Sequence, residues 1–364
     1  MTTTDLRIAV AGATGAVGRE LLTLLEARGT EIGELRLLAS ERSRGRTIEF
    51  AGRELTVQLL EDAAFDGIDV AFFSCGKERS KRYAPAAVER GALVIDNSSA
   101  FRLDADVPLI VPEVNAAAMP TGSGGAIIAN PNCSTILMVV PLAPLHQAFG
   151  LESVVVSTYQ AASGAGQKGI EALLGGVRSY MDGPTDGGAA GEATAGETEV
   201  FGHRLAFNLV PHIDTFADDG VTGEERKMVL ETRKIMGLPE LPVDVTCVRV
   251  PVLRCHSEAV TIATREAITP DLARAALQGA PGVRLVDDPT GLEYPMPVDA
   301  DGVEPVLVGR VRDSAVFENG ISFWLSGDQL LKGAALNAVQ IFESYQDMCG
   351  PQAQLTAPAE RRED

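Results

Sequence analysis

Arg7-Ile8-Ala9-Val10-Ala11-Gly12-Ala13-Thr14-Gly15-Ala16-Val17-Gly18-Arg19-Glu20 is the stretch that decides the fold. A short apolar run reads as a strand, three glycines follow at intervals of three, and an apolar pattern at helical spacing begins at Val17. Gly12 permits a tight turn, Gly15 lets a ligand approach the backbone, and Gly18 lets the helix lie close to the sheet. Thr14, Gly15, Ala16 and Val17 then aim N–H groups at a pyrophosphate. A glycine motif alone is weak evidence. Its place between a strand and a helix is the context that makes it a dinucleotide-binding turn.

Outward from this turn the same rhythm repeats. Strand-like runs at Arg7–Val10, Leu35–Leu38, Asp69–Phe73 and Ala92–Ile95 alternate with helical patterns over Val17–Arg28 and Lys77–Arg90. That alternation predicts a doubly wound parallel sheet. The end of the second strand should distinguish the two nicotinamide dinucleotides, because an NAD site usually places a carboxylate there. Here the chain reads Ala39-Ser40-Glu41-Arg42-Ser43-Arg44. The hydroxyls of Ser40 and Ser43 with the guanidinium of Arg42 suit a 2′-phosphate, so NADP is expected, with Glu41 turned to solvent.

A later block has another texture, with strand candidates at Ser153–Gln160, Val243–Val252, Ala259–Arg265 and Val306–Asp313. It predicts an α+β domain on a largely antiparallel or mixed sheet. At 364 residues the chain exceeds what one core usually serves, which also points to two domains. The fold class is therefore α/β, an N-terminal Rossmann-like doubly wound parallel sheet plus an α+β domain with a mixed sheet. The expected divisions are 1–132, 133–328, a C-terminal helical segment 329–349 packing back on the first domain, and a disordered tail 350–364. Met181–Glu199, rich in Gly, Ala, Thr and acid, predicts a mobile surface loop.

A net charge of −19 argues against nucleic acid or an anionic membrane as partner, while leaving room for a local basic pocket. The five cysteines (Cys75, Cys133, Cys247, Cys255, Cys349) are odd in number and lack C-x-x-C spacing, so neither a disulfide framework nor a zinc or other metal site is suggested. Reduced thiols, no bilayer-length apolar stretch and no leader-like start lead to the expectation of a cytoplasmic protein.

One of those cysteines stands out. Ala126-Ile127-Ile128-Ala129 reads as a buried strand, Asn130-Pro131-Asn132 as a stop and cap, and the apolar stretch after Cys133 as a helix. Cys133 would sit in the first turn, where unpaired N–H groups favour a thiolate and an oxyanion formed beside it. The bland alternative is a buried structural cysteine. Pro141, about two turns later, predicts a kink. In Arg249-Val250-Pro251-Val252-Leu253-Arg254-Cys255-His256, strand parity would send Arg249 and His256 to opposite faces, so both reach one site only if the chain breaks after Pro251. Such a break is expected. His146 in an apolar helix, and His203 and His212 flanking a strand, carry no chemistry on this reading. Glu224 and Lys227 share a helix face at i and i+3. Arg102 follows a parallel strand's C-terminal end, where ligands collect, and Gln160 runs into a small-residue turn at Ser163-Gly164.

Taken together, these motifs resemble those of the aspartate-semialdehyde dehydrogenases along nearly the whole chain, from the opening glycines to Gly327-Asp328-Gln329-Leu330-Leu331-Lys332-Gly333-Ala334-Ala335. The resemblance implies a nucleophile at Cys133, an acid/base at His256, and a carboxylate-binding arginine at Arg249. It also implies substrate contacts at Gln160 and Glu224, phosphate contacts at Arg102 and Lys227, and cofactor contacts at Ser163, Gly164 and Gln329. It further implies a catalytic and dimerising second domain, a homodimer, inorganic phosphate as co-substrate, and a place in lysine, threonine and methionine biosynthesis. The alternatives are a related acyl-phosphate or acyl-CoA reductase, whose nucleophile segment usually reads Pro-Gly-Cys, and a non-catalytic NADP-binding paralogue.

Overall fold

In the computed structural model, which describes residues 6–122, 125–183 and 192–349, the chain forms two compact units. One holds the chain up to Asn132 and again from Ala334, the other Cys133–Gly333.

In the first unit, β1 (Arg7–Ala11) passes through the glycine turn into α1 (Ala16–Ala27), β2 (Glu34–Ala39) and a hairpin of β3 (Thr47–Phe50) and β4 (Arg53–Thr56). β5 (Gln58–Leu59), β6 (Val70–Phe73), α2 (Lys77–Glu89), β7 (Leu93–Asp96), α3 (Pro112–Asn115) and β8 (Ala126–Ala129) follow. The six-stranded sheet has the order β5-β2-β1-β6-β7-β8, and every pairing in it is parallel, as the alternating pattern predicted. β6 and β7 are buried throughout and β1 from Ile8 onward, which is why they read as continuous apolar runs. Since β1 has β2 on one side and β6 on the other, the strand order reverses there, and the glycine turn leaves β1 at this switch point.

The second unit opens with α4 (Cys133–Phe149), β9 (Leu151–Gln160), α5 (Gln167–Asp182), α6 (Ala195–Phe201) and α7 (Gly223–Met236). It continues with β10 (Val243–Arg249), β11 (His256–Thr264), α8 (Pro270–Leu277) and β12 (Val283–Leu285). α9 (Pro297–Ala300), β13 (Val306–Asp313) and β14 (Gly320–Gly327) complete it. The sheet order is β10-β9-β11-β14-β13-β12, parallel at β10/β9 and β12/β13 and antiparallel elsewhere, hence mixed. A π-helical turn, Leu331–Ala335, then leads into α10 (Leu336–Cys349), which packs on α1 and sets Phe342 edge-on to Phe72, the ring centroids 6.0 Å apart.

Several expectations change. The segment 181–199 is not one loop: α5 extends to Asp182, and α6 starts inside it with a capping box between Thr194 and Glu197. Glu197 also accepts the N–H groups of Leu205 and Ala206, so the buried partners that a periodicity search cannot see hold this polar helix in place. Residues 184–191 and the tail 350–364 lie outside the described residues. Pro141 does not end α4, which runs from Cys133 to Phe149 with Pro144 also inside it. No strand lies between His203 and His212; the segment touches a strand only through the isolated bridge Val210–Arg249. The change-over placed at residue 329 falls at 334, because Asp328 and Gln329 bind residues 254, 255, 163 and 302 of the second unit.

Candidate active site

Register explains how the second unit gathers its polar groups. Arg249 of β10 lies beside Gln160 of β9, and His256 of β11 lies beside Gly327 of β14, while Tyr159 pairs with Ser257 one step behind. Arg249, Gln160, His256 and Gly327 thus form the end row of one sheet face. Directly behind it lies a buried row of Cys247, Thr158, Glu258 and Leu325, and behind that the apolar row Val156-Val260-Phe323, with half-buried Val245 at its edge. The segment 250–255 supplies the break that lets Arg249 and His256 share that row. Cys255 carries a left-handed φ of +74°, and Gln329 Oε1 accepts its N–H at 2.8 Å.

α4 lies against this face. A methyl group at Gly327 would stand 2.5 Å from Leu137 Cδ2, so only glycine lets the helix approach here. Cys133, one turn before Leu137, is the first residue of α4 and is half-buried. A methyl group at Gly333 would come within 3.0 Å of its Cβ. Next to it, the buried Ser134 Oγ accepts from Gln160 Nε2, and Gln160 also donates to Glu224 Oε1 at 3.2 Å. Burial raises the thiol pKa of Cys75 to about 11 and those of Cys247 and Cys255 further, so these three stay protonated.

His256 is fully buried. Its Nδ1 accepts the Ala161 N–H at 3.0 Å, and its Nε2 has no partner among the described residues. Burial first, and the Arg249 charge second, hold its pKa well below the ordinary histidine value. The ring is therefore neutral, and an occupied Nδ1 assigns its proton to Nε2. The Arg249 backbone bonds Val210 in both directions, while its guanidinium donates to Ala161 O at 2.7 Å and makes no other hydrogen bond among the described residues. Burial lowers its pKa, opposed first by the nearby Glu224 carboxylate. Gly164 lies over both groups: a methyl there would meet Arg249 Nη1 at 2.6 Å and His256 Nε2 at 3.2 Å.

α7 begins with a capping box in which Thr222 and Glu225 exchange bonds, and this sets Glu224 inward, 7% exposed. Lys227, one turn on, bonds Asp214 at 2.6 Å and Glu224 at 3.3 Å. Burial pulls its pKa down, but the two carboxylates outweigh that and hold it above the ordinary lysine value. Ser163 and Gln329, expected at a cofactor, are both buried and bonded to each other. The second unit therefore brings together Cys133, Gln160, Ser163, Gly164, Glu224, Lys227, Arg249, His256 and Gln329.

The remaining candidates lie in the first unit. Gly12 has φ +93°, and a methyl there would lie 2.5 Å from Ser74 O. A methyl at Gly18 would clash with Gly12 O, so the third glycine accommodates the turn itself more than the sheet. This closed backbone cradle, followed by Gly15, Ala16 and Val17 at the start of α1, fits a pyrophosphate. Thr14 Oγ1 reaches Ser43 Oγ at 3.4 Å, which joins the turn to the loop after β2. Ser40 and Arg42 belong to that loop, and Glu41 is exposed beside Arg44, so no carboxylate blocks a 2′-phosphate. Arg102 is 8% exposed, donating to Asn130 O and Asn97 O, both at 2.9 Å.

Sequence reasoning missed the amides that fix this region. Asn130 donates to Asn97 Oδ1 at 2.7 Å and accepts from Asn337 at 2.6 Å, so three asparagines distant in sequence hold the stretch entering Cys133. Asp328 was missed too; it caps the N–H groups of Leu330 and Leu331 and binds Arg254. With Cys255 and Asp301 it forms a metal-sized cluster, but Arg254 lies 2.8 Å from Asp328 and 3.2 Å from Asp301 and already supplies the cation.

Comparison with known proteins agrees with this geometry. The family model for the semialdehyde dehydrogenase NAD-binding domain matches residues 7–121, and that for the semialdehyde dehydrogenase dimerisation domain matches 142–332. The chain is 49% identical to an aspartate-semialdehyde dehydrogenase of Aquifex aeolicus over 338 residues, 93% of this chain and 97% of that one. It is 47% identical to the Bacillus subtilis protein of the same name over 344 residues, 94% and 98% of the two chains. The solved structure of aspartate semialdehyde dehydrogenase II of Vibrio cholerae complexed with ASA superposes with a TM-score of 0.87 at 44% identity, covering 93% of this chain and 97% of that one.

Proposed function

From the premise that the chain belongs to the aspartate-semialdehyde dehydrogenase family, we propose that it catalyses the NADP-dependent, phosphorylating oxidation of L-aspartate 4-semialdehyde to 4-phospho-L-aspartate. In lysine, threonine and methionine biosynthesis the reaction runs in reverse, with NADPH. The observation that carries this reading is the convergence of Cys133, Gln160, Glu224, Arg249 and His256 at one end of the second unit's sheet.

The Cys133 sulfur adds to the aldehyde carbon and forms a hemithioacetal. His256, with its proton on Nε2 and that nitrogen otherwise unpartnered among the described residues, donates a hydrogen bond to the oxyanion as it forms and holds it until the carbonyl re-forms. Arg249 grips the substrate α-carboxylate with the N–H groups not engaged by Ala161, a planar fork that lysine lacks. Glu224 faces the α-ammonium, and Gln160, anchored by Ser134 and Glu224, orients the reacting end. When bound, NADP would supply the hydride acceptor: Gly12, Thr14, Gly15, Ala16 and Val17 would hold its pyrophosphate and Ser40, Arg42 and Ser43 its 2′-phosphate, while Ser163, Gly164 and Gln329 are the further contacts that the resemblance implies. What remains on Cys133 is a thioester. Phosphate, assigned to Arg102 and Lys227, attacks the acyl carbon; the C–S bond breaks and Cys133 leaves as thiolate.

On this reading residues 6–132 with 334–349 bind the cofactor, and 133–333 carry catalysis and dimerisation. A second copy of the chain covers the open face of the mixed sheet, where Val155 is 41% exposed beside half-buried Ser157, Tyr159 and Thr261. The enzyme works in the cytoplasm with reduced thiols. The test is a phosphate-dependent assay with aspartate semialdehyde, run with NADP and NAD in parallel. Cys133→Ala is expected to abolish NADPH formation while leaving NADP binding intact, and retained turnover would overturn the nucleophile assignment.

A further inference from the structure

Lys227 is not an isolated cation waiting for an anion. Its ammonium lies 2.6 Å from Asp214 Oδ2 and 3.3 Å from Glu224 Oε2. Asp214 reaches it from the loop before α7 with a left-handed backbone, φ +71°, a region that residues with side chains rarely adopt. Its other oxygen accepts the Thr215 N–H at 2.8 Å, so both ends of the carboxylate are held. The group sits against the start of α7: a methyl on Gly223, the first residue of that helix, would stand 2.7 Å from Asp214 Oδ2. The start of a helix beside a lysine is a favourable seat for an anion. The chain fills that seat with its own carboxylate.

We infer that Asp214 is an internal stand-in for phosphate, occupying the anion position at Lys227 and giving way when phosphate arrives, so that it sets the enzyme's affinity for phosphate. The inference rests on the assignment of Lys227 to phosphate made above. Two carboxylates on one ammonium leave the cluster with a net negative charge, which repels an incoming phosphate. If one carboxylate withdraws, the cluster becomes neutral. Glu224, with a side chain 9% exposed, cannot withdraw without burying an unpaired charge, whereas the Asp214 side chain is 37% exposed and can turn to water. Asp214 is therefore the carboxylate that yields.

The experiment uses the full-length enzyme in the phosphorylating direction, with aspartate semialdehyde and NADP saturating and inorganic phosphate varied. Asp214→Asn removes the charge and keeps a residue that tolerates a left-handed backbone. Its phosphate KM is expected to fall roughly two- to tenfold, with the KM values for semialdehyde and NADP unchanged. Gly223→Ala keeps both charges but pushes the carboxylate off its seat, and it should lower the phosphate KM in the same direction. A merely structural Asp214 would instead worsen all three constants. An unchanged or raised phosphate KM in Asp214→Asn overturns the inference. Lys227→Met separates the two levels. If its phosphate KM does not rise, the Lys227 assignment falls and the Asp214 inference falls with it. If that KM rises while Asp214→Asn leaves it unchanged, only the role of Asp214 is lost.

Discussion

Glu258 is held far from its preferred state. Two residues beyond His256 on the same face of β11, it is fully buried, and neither carboxylate oxygen has a hydrogen-bond partner among the described residues. Opposite it stands Thr158, beside the Cys247 thiol that completes the row. Burial pushes the Glu258 pKa well above the ordinary value. The folded chain therefore keeps a proton that the unfolded chain releases once pH exceeds the normal carboxylate range, and the folded state loses stability as pH rises. Glu258→Gln does not titrate. Its melting temperature relative to the parent protein is expected to climb between about pH 5 and pH 8; a pH-independent difference would show that Glu258 is ionised in the fold. His256 has the opposite sign. It is neutral when folded and protonated when unfolded below its ordinary value, so it destabilises the fold as pH falls. Neither state was legible in the sequence, where Glu258 and His256 are simply neighbours in Cys255-His256-Ser257-Glu258, because burial is set by what packs across the sheet.

At the scale of elements, α7 shows how local sequence positions a site. Thr222-Gly223-Glu224-Glu225 encodes a capping box that starts the helix, and Gly237, with a left-handed φ of +67°, ends it. Glu224 and Lys227 therefore fall in the first two turns, facing the end of β10 and β9. Thr222→Ala removes the cap and is expected to cost about 1 kcal/mol, read as a lower denaturant midpoint, with a weaker KM for the amino-acid substrate. An unchanged midpoint would mean that β10, and not the cap, holds this turn. The start of α7 was visible in sequence because capping is local chemistry. α6 carries the same local signature in Thr194 and Glu197, but its polar composition gives no apolar period, and its buried Glu197 is further satisfied only by residues eight and nine positions later.

At the scale of the molecule, the open sheet face of the second unit should govern assembly. Cross-strand hydroxyl pairs, Thr261 with Ser322 at 2.8 Å among them, line it together with Tyr159 and Trp324, whose ring centroids are 5.1 Å apart. Val155 stands in the middle of β9 on that face. Val155→Arg would bury an unpaired charge if a second copy covers the face. Light scattering is expected to give twice the chain mass for the parent protein and a single chain mass for the variant. A variant that remains dimeric would place the interface elsewhere.

The sequence by itself determined the parallel sheet and its glycine turn, the strand-to-helix step ending at Cys133, and the break between Arg249 and His256. Each of these follows from short-range rules of periodicity, turn geometry and parity. Only the tertiary structure decided that His256 carries its proton on Nε2, that Asp214 occupies Lys227, and that Asn97, Asn130 and Asn337 form one amide chain. Those outcomes depend on which groups from distant segments meet, and on how much water is excluded where they do.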